Sequence, residues 1–302
     1  MKFFYISLTA LLFSFGAYSQ TDTVYFNRSF EGGINGNQTS FSSNWKGGGI
    51  PSVAVAAFIN FKSEKRYHRH QFTTDYQLAF GQFYNQPSNI KWRKNIDRLY
   101  LDNKYGYFIN DPWAVFGALT FQSQFYRGYK FDPHKNAAFI GQDSSTLISN
   151  FLAPGYLDEA LGLEFKKYKW FTARLGFIAF RQIFSVDKGV EANVRNNDGK
   201  HYGVDPGLNI KNQFGLNVVL KLDYDFSKRV NLEGIYQYFS EYSNIAVSVN
   251  RLDAIFTARI SSVLNTNIQT VILYNQDQDL KTQWSQGLAL GLVYNFSNFP
   301  KK

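Results

Sequence analysis

Apolar residues recur at every second position through most of this chain. Val53, Val55, Ala57, Ile59 and Phe61 alternate with smaller or more polar residues, as do Phe72, Tyr76, Leu78 and Phe80. Val115, Leu119, Phe121 and Phe125 follow, then Leu157, Leu161, Leu163 and Phe165, then Phe171, Leu175 and Phe177. The longest ladder is Phe214, Leu216, Val218, Leu220, Leu222, Tyr224 and Phe226. Leu252, Ala254, Phe256, Ala258 and Ile260 repeat it, and Ile268, Ile272 and Tyr274 make a weaker one. A period of two places one set of side chains on one face of a strand. With segments near 28–42, 95–109 and 230–241, the pattern predicts about twelve strands. Most exceed the ~9–11 residues that cross a bilayer at a tilt.

The other faces decide what kind of sheet this is. They carry Asp75, Arg98, Asp102, Lys104, Glu164, Lys166, Arg174, Lys221, Asp223, Glu233, Arg251, Asp253 and Arg259, nearly balanced in sign. A sandwich turns its polar faces to bulk water. A balanced, densely charged set suits a confined lumen, because a base on a lipid face costs ~2–4 kcal/mol at the midplane. Connection lengths agree. Links near 63–66, 110–112, 167–169, 227–229 and 262–265 are short. Those near 43–51, 85–94, 129–154, 184–207 and 276–282 are longer, whereas 242–245 is short. Short periplasmic turns alternating with longer outer loops mark an outer-membrane barrel. The expected fold is all-β, a transmembrane antiparallel β-barrel of about 12 strands.

The last alternating stretch, "QGLALGLVYNF" (286–296), has a greasy face of Leu288, Leu290, Leu292, Tyr294 and Phe296 and a small one. Gly291, Tyr294 and Phe296 form the Gly-x-x-aromatic-x-aromatic arrangement of a terminal barrel strand, which resembles the signal read by the barrel-insertion machinery. Six residues, "SNFPKK", follow and are expected to lie beyond the strand and contribute little.

Composition narrows the compartment. "MKFFYISLTALLFSFGAYSQ" reads as a secretory signal peptide with a small-x-small cleavage site. Residues 1–19 are expected to be removed on export through the general secretory pathway, leaving 20–302 as the outer-membrane β-barrel, with long loops about 129–154 and 184–207. No other apolar run approaches the roughly 20 residues of a spanning helix. Cysteine is absent, which excludes a disulfide scaffold and a Cys-anchored lipoprotein. With Phe 30, Tyr 20 and Trp 5 against Met 1, the chain favours strands over helices. The formal charge of +9 invites a nucleic-acid reading, but an exported chain does not ordinarily meet nucleic acid.

Four stretches, "NQTSFSSNWKGGG" (37–49), "RKNIDRLYLDNKYGY" (93–107), "FQSQFYRGY" (121–129) and "ISNFLAPGYL" (148–157), resemble the outer-membrane barrels of the Bacteroidota catalogued as domain of unknown function 3078. The resemblance is expected to extend over nearly the whole mature chain, in the same order. Where family members often have Asp-Asp after Arg-Lys-Asn, this chain has Ile96-Asp97. The resemblance implies a barrel in the outer membrane and no agreed activity.

Candidate chemistry is sparse. His68 and His70, two apart, would share a strand face as a metal pair needs, but Lys65, Arg66 and Arg69 oppose a cation. His134 and His201 sit in loops near Asp132, Asp198 and Asp205 without a nucleophile motif. Gly47-Gly48-Gly49 precedes no helix and is turn material. Bases at the turn ends, among them Lys62, Lys65, Arg66, Lys166 and Lys169, read as snorkelling towards headgroups. Trp113, Trp170, Tyr156, Tyr224, Tyr236, Tyr238, Tyr294 and Phe296 read as interfacial girdles, and Trp45 and Trp92 as outer-loop aromatics. No catalytic, cofactor or metal residue is assigned. The expected protein is non-enzymatic, either a narrow channel for small solutes or a structural barrel of an envelope assembly. The alternative is an outer-membrane hydrolase with its site at the extracellular loops. Expected partners are the bilayer, the insertion machinery, and periplasmic or outer-membrane proteins, with no nucleic acid.

Overall fold

A computed structural model describes residues 24–39, 52–85, 92–132, 143–195, 199–277 and 279–299. The expected signal peptide, Trp45, Gly47–Gly49, His134 and Asp198 lie outside the described residues. The strands are β1 (Tyr25–Thr39), β2 (Ser52–Tyr67), β3 (His70–Asn85), β4 (Trp92–Asn110), β5 (Trp113–Ser123), β6 (Gly128–Asp132) and β7 (Ser144–Ser149). They continue with β8 (Gly155–Tyr168), β9 (Phe171–Phe184), β10 (Ile210–Asp225), β11 (Val230–Glu241), β12 (Asn244–Arg259), β13 (Leu264–Asn275) and β14 (Asp279–Ser297). One short helix, α1 (Lys188–Asn193), interrupts them.

Twelve strands close into one antiparallel barrel, each beside its sequence neighbour except that β5 pairs directly with β8. The β6–β7 hairpin stands apart as a two-stranded sheet. Closure is made by β1 against β14, from Ser29 opposite Ser297 to Gly36 opposite Leu290. No barrel strand is left with an unpaired edge, as a hydrocarbon surround demands. Short connections at residues 68–69, 111–112, 169–170, 226–229 and 260–263 lie at the same end as the start of β1 and the end of β14. The first begins later than the alternation suggests, because Ser63 to Tyr67 still pair with Thr74 to His70.

Alternation sorts the faces. Val53, Val55, Ile59, Phe72, Leu119, Leu161, Phe214, Phe256, Leu288, Leu290 and Leu292 stay exposed on the outside, although they are apolar. Such a continuous apolar exterior is a lipid-facing surface. Aromatic rings gather at the turn end: Trp113 lies 5.1 Å from Phe165, and Trp170 is 5.2 Å from Tyr168 and 5.6 Å from Tyr224 between ring centres. Amphipathic rings belong at headgroup level. The molecule is an outer-membrane β-barrel.

Several sequence expectations need correction. Tyr156 is not a girdle residue; it shares the inward face with Asp158 and Glu164 and lines a cavity inside the barrel. Trp92 opens β4 rather than lying in a loop, with its ring 5.2 Å from that of Tyr84. His68 occupies the β2–β3 turn with φ of 50°, so it does not share a strand face with His70. His70 instead sets Nδ1 2.5 Å from the Tyr105 hydroxyl. The tail after Phe296 is tied to β1: the Arg28 amide donates to Asn298 Oδ1 at 2.5 Å, and Asn298 Nδ2 donates to the Phe26 carbonyl at 3.2 Å.

The two faces of β14 give opposite outcomes on substitution. Leu290 is exposed to lipid, so Leu290→Arg costs ~2–4 kcal/mol near the midplane. Gly291 faces inward, where a methyl group meets the Asn35 carboxamide and lies 3.2 Å from the Ile34 carbonyl oxygen, so Gly291→Ala is accommodated mainly by a shift of the Asn35 side chain. Folded protein in isolated outer membranes, read by heat-modifiability on gels, is expected to fall far more for Leu290→Arg.

Candidate functional site

The inward faces bring the charged residues together across the lumen. On β4, Asp102 accepts from Arg174 Nη1 on β9 at 3.0 Å, from Lys221 Nζ on β10 at 2.7 Å and from Thr120 Oγ1 on β5 at 2.9 Å. Lys221 also reaches Asp75 on β3 at 2.9 Å. Arg174 Nε donates to Glu164 on β8 at 3.1 Å, and Lys104 Nζ donates to both oxygens of Glu164. The side chains of Lys104 and Glu164 are 2% and 0% exposed. Six strands are thus joined by one continuous network. Each carboxylate in it has more than one donor, which is what a desolvated charge requires.

A second group lies on the opposite wall. Asp253 on β12 accepts from Arg98 Nη1 at 2.8 Å and from Arg251 Nε at 2.7 Å and Nη2 at 2.9 Å. Glu233 pairs with Lys62 at 2.9 Å, and Lys166 with Glu64 at 2.7 Å. Lys62 and Lys166 therefore point into the barrel and do not snorkel. Arg66 also turns inward, over the Phe108 ring at 4.3 Å. Asp223 accepts from Asn231 at 3.0 Å, and Arg259 lies 3.8 Å from Asp225.

Sequence reasoning missed the buried pair Arg181–Asp158, joined through Arg181 Nε at 2.5 Å and Nη2 at 3.0 Å. Arg174 and Arg181 are an odd number apart and would face opposite sides of a regular strand. A bulge between Gly176 and Ile178 leaves Phe177 and Ile178 both exposed and returns Arg181 to the lumen. Gly162 faces that irregularity, where any Cβ would run into the Leu175 carbonyl oxygen. The Phe177 carbonyl accepts from the Tyr242 hydroxyl at 2.7 Å. Asp158, in step with Glu164, was legible; the reversal of phase was not.

Filling is uneven. The charge network occupies the side of β3–β5 and β8–β10. Beside it, Phe116, Ala160, Ala179 and Phe239 form an apolar cluster with Ala118 and Val249. Two cavities remain, the upper bounded by β4, β5, β8, β9 and β11–β14 and the lower by β1–β4 and β11–β14. The upper, of about 570 Å³, reaches Ile148, Ser149 and Tyr202 at the loop end. The lower, of about 540 Å³, reaches Ser261 and Ser262 at the turn end. They adjoin, sharing Asn95, Ile96, Arg98, Gln269, Gln286 and Gly287 in their walls. A smaller cavity of about 220 Å³ lies below the charge network and is bordered by Phe299.

The loop end is anchored by the stretches singled out in the sequence. Asp97 accepts from the amides of Phe125 at 2.7 Å and Tyr126 at 3.0 Å, and from Lys94 at 2.8 Å. Gln124 donates to the carbonyls of Asn150 and Ala153, and Leu152 donates to Ser123 Oγ. Asn150 Nδ2 donates at 2.6 Å to Asp187, which caps α1 through the Gly189 and Val190 amides. The Asn150 bond, followed by those two amides, holds the Asp187 carboxyl below its ordinary range. Behind the helix, His201 Nδ1 lies 2.8 Å from Ser185 Oγ, and His201 Nε2 lies 3.8 Å from Glu191. Both Ser185 and His201 are fully buried, so this serine, imidazole and carboxylate tie the loop down without presenting a nucleophile to solvent. Among the described residues, no three His, Cys, Asp or Glu side chains cluster as a metal site would require.

Two predictions follow from these contacts. Asp102→Ala strips the central acceptor from two buried bases, a loss of ~3–5 kcal/mol for a broken buried pair. Leu220→Val, on the lipid face, leaves heat and urea resistance of the folded gel band nearly unchanged. Asp187 has a depressed carboxyl, so its contribution is full above the ordinary value of about 3.9 and is lost as pH falls below it. Protection of the Gly189 and Val190 amides against hydrogen exchange, relative to their intrinsic rates, is expected to persist through about pH 4 and to be lost only as pH falls through the lowered range of the Asp187 carboxyl, and to be largely absent at neutral pH in Asp187→Ala.

Known structures of similar shape are all distant. The translocator domain of autotransporter NalP from Neisseria meningitidis shares 8% identity, covering 92% of this chain and 90% of that one, with a TM-score of 0.37. The COG4313 outer membrane channel from Pseudomonas putida F1 shares 7%, covering 93% and 97%, with a TM-score of 0.37. OmpT, an outer membrane protein of Vibrio cholerae, shares 8%, covering 92% and 99%, with a TM-score of 0.30. No curated protein matches the chain by sequence. The family match takes in three of the four stretches that carry the resemblance and stops before "ISNFLAPGYL". Residues 37–129, from the end of β1 to the start of β6, match the model described as "Protein of unknown function (DUF3078)", and that is the family signature this chain carries.

Proposed function

We propose that this barrel is a narrow, non-enzymatic channel for small polar solutes across the outer membrane. The reading rests on the two adjoining cavities, which run from the turn end towards the loop end, the upper one crossing the lumen between β4–β5 and β12–β14 beside the packed ion pairs and apolar side chains. Their walls are rich in carboxamides: Asn35, Asn60, Asn267, Gln237, Gln269 and Gln286. A carboxamide both donates and accepts, so it exchanges hydrogen bonds with a passing polar solute without holding it as a charge would. Rigid pairing of the lumen charges keeps the width constant, which suits a passive pore. Export through the general secretory pathway and insertion by the barrel machinery, reading Gly291, Tyr294 and Phe296, complete the proposal.

The second reading, a structural barrel serving an envelope assembly, draws on the filled part of the lumen. Planar-bilayer recording of the refolded chain separates the two. Discrete small current steps are expected, reduced at least severalfold by Gln269→Trp in the shared wall and unaffected by Leu288→Trp on the lipid face. A folded protein that gives no steps overturns the channel and leaves the structural reading.

A further inference from the structure

The upper cavity differs from the lower in its chemistry, not its size. Three guanidinium groups border it, those of Arg98, Arg181 and Arg251. Arg181 is matched by its own carboxylate, Asp158, through two hydrogen bonds. Arg98 and Arg251 have only Asp253 between them. Two cations on one carboxylate leave one positive charge in excess. The cavity's remaining acid, Asp97, is taken up by Lys94 and two backbone amides. Arg251 is the most open of the three, its side chain 28% exposed against 15% for Arg98 and 6% for Arg181. Tyr100, Tyr156 and Phe239 supply rings, and Gln122, Gln237 and Gln286 supply carboxamides, in the same walls. The lower cavity is mixed in charge, with Glu31, Glu233 and Asp253 beside Arg98 and Arg259 in its wall.

We propose that the upper cavity is a binding site for a small hydroxylated organic carboxylate, with Arg251 as its charge partner. This rests on the channel reading for its role as a waypoint in transport, but the binding itself does not. Arg251 holds Asp253 through Nε and Nη2 and offers its Nη1 edge to a ligand carboxylate, a charged contact no neutral solute can replace. Carboxamides match hydroxyl groups as both donors and acceptors, and ring faces match the apolar face of a hydroxylated ring. A volume of about 570 Å³ falls in the range of small-ligand sites. Replacing Arg251 removes the excess charge without stranding Asp253, which keeps Arg98.

The test uses the full refolded chain in detergent, with glucuronate, glucose and glucosamine as probes of nearly one shape and different charge. Equilibrium dialysis is expected to show glucuronate bound at least tenfold more tightly than glucose or glucosamine. Arg251→Gln should lose that preference, and Arg251→Lys should keep most of it. In bilayers, glucuronate should lower the parent's current and leave that of Arg251→Gln unchanged. Glucuronate binding no better than glucose or glucosamine overturns the site, whether or not current steps are seen. A preference that survives in folded Arg251→Gln overturns the role of Arg251. If no current is observed but glucuronate is preferred in dialysis, the channel fails and the carboxylate site stands. The comparison of probes on the parent decides the matter even if the glutamine variant does not fold.

Discussion

Everything in this barrel depends on one constraint: a strand in hydrocarbon cannot leave a backbone amide or carbonyl unpaired. Closure of β1 on β14 meets that demand around the whole circumference. Once closed, each strand has one face towards lipid and one towards a narrow interior. The alternation that supplies Leu288, Leu290 and Leu292 to the outside commits Gly287, Ala289, Gly291 and Val293 to the inside. The same logic sends Asp102, Lys104, Glu164 and Arg174 into the lumen, because the outside would not take them.

Inside, the charges have little water and must satisfy one another. The Asp102 network does so by bridging strands distant in sequence, such as β4 to β10. Replacing such pairs with apolar residues often leaves stability unchanged or raises it, whereas removing one partner is costly. The network therefore fixes which strands face each other across the lumen and how far apart they stand. Because it draws on six adjacent strands and not on all twelve, the lumen beside it stays partly hollow.

β4 is the element where these roles meet. Its lumen face gives Arg98, Tyr100, Asp102 and Lys104 to the interior, and its loop end gives Lys94 and Asp97 to the anchoring of Phe125 and Tyr126. The stretch that carries the family resemblance, "RKNIDRLYLDNKYGY", is thus both the hub of the charge network and a fastening of the loops at the far end from the short turns. β5 continues the fastening through Ser123 and Gln124 to residues 150–153, and Asn150 passes it to the cap of α1.

The sequence by itself determined that about twelve strands make the barrel, which side chains mostly face lipid, and most of the charged set of the interior. All three are consequences of a local period of two, which needs no knowledge of neighbours. It also marked the short turns and the terminal strand, since turn length and the aromatic ending are contiguous in the chain. Tertiary structure alone decided the partners. Nothing local says that Lys221 reaches Asp102, that Lys62 turns inward to Glu233, or that Ser185, Glu191 and His201 meet behind a helix. Pairing across a lumen depends on register and closure, which sum over every strand. The bulge that returns Arg181 to the interior reverses the phase on which the sequence reading rests. The hollow along β12–β14 is likewise invisible in the chain, because empty space is what remains after every side chain has found its place.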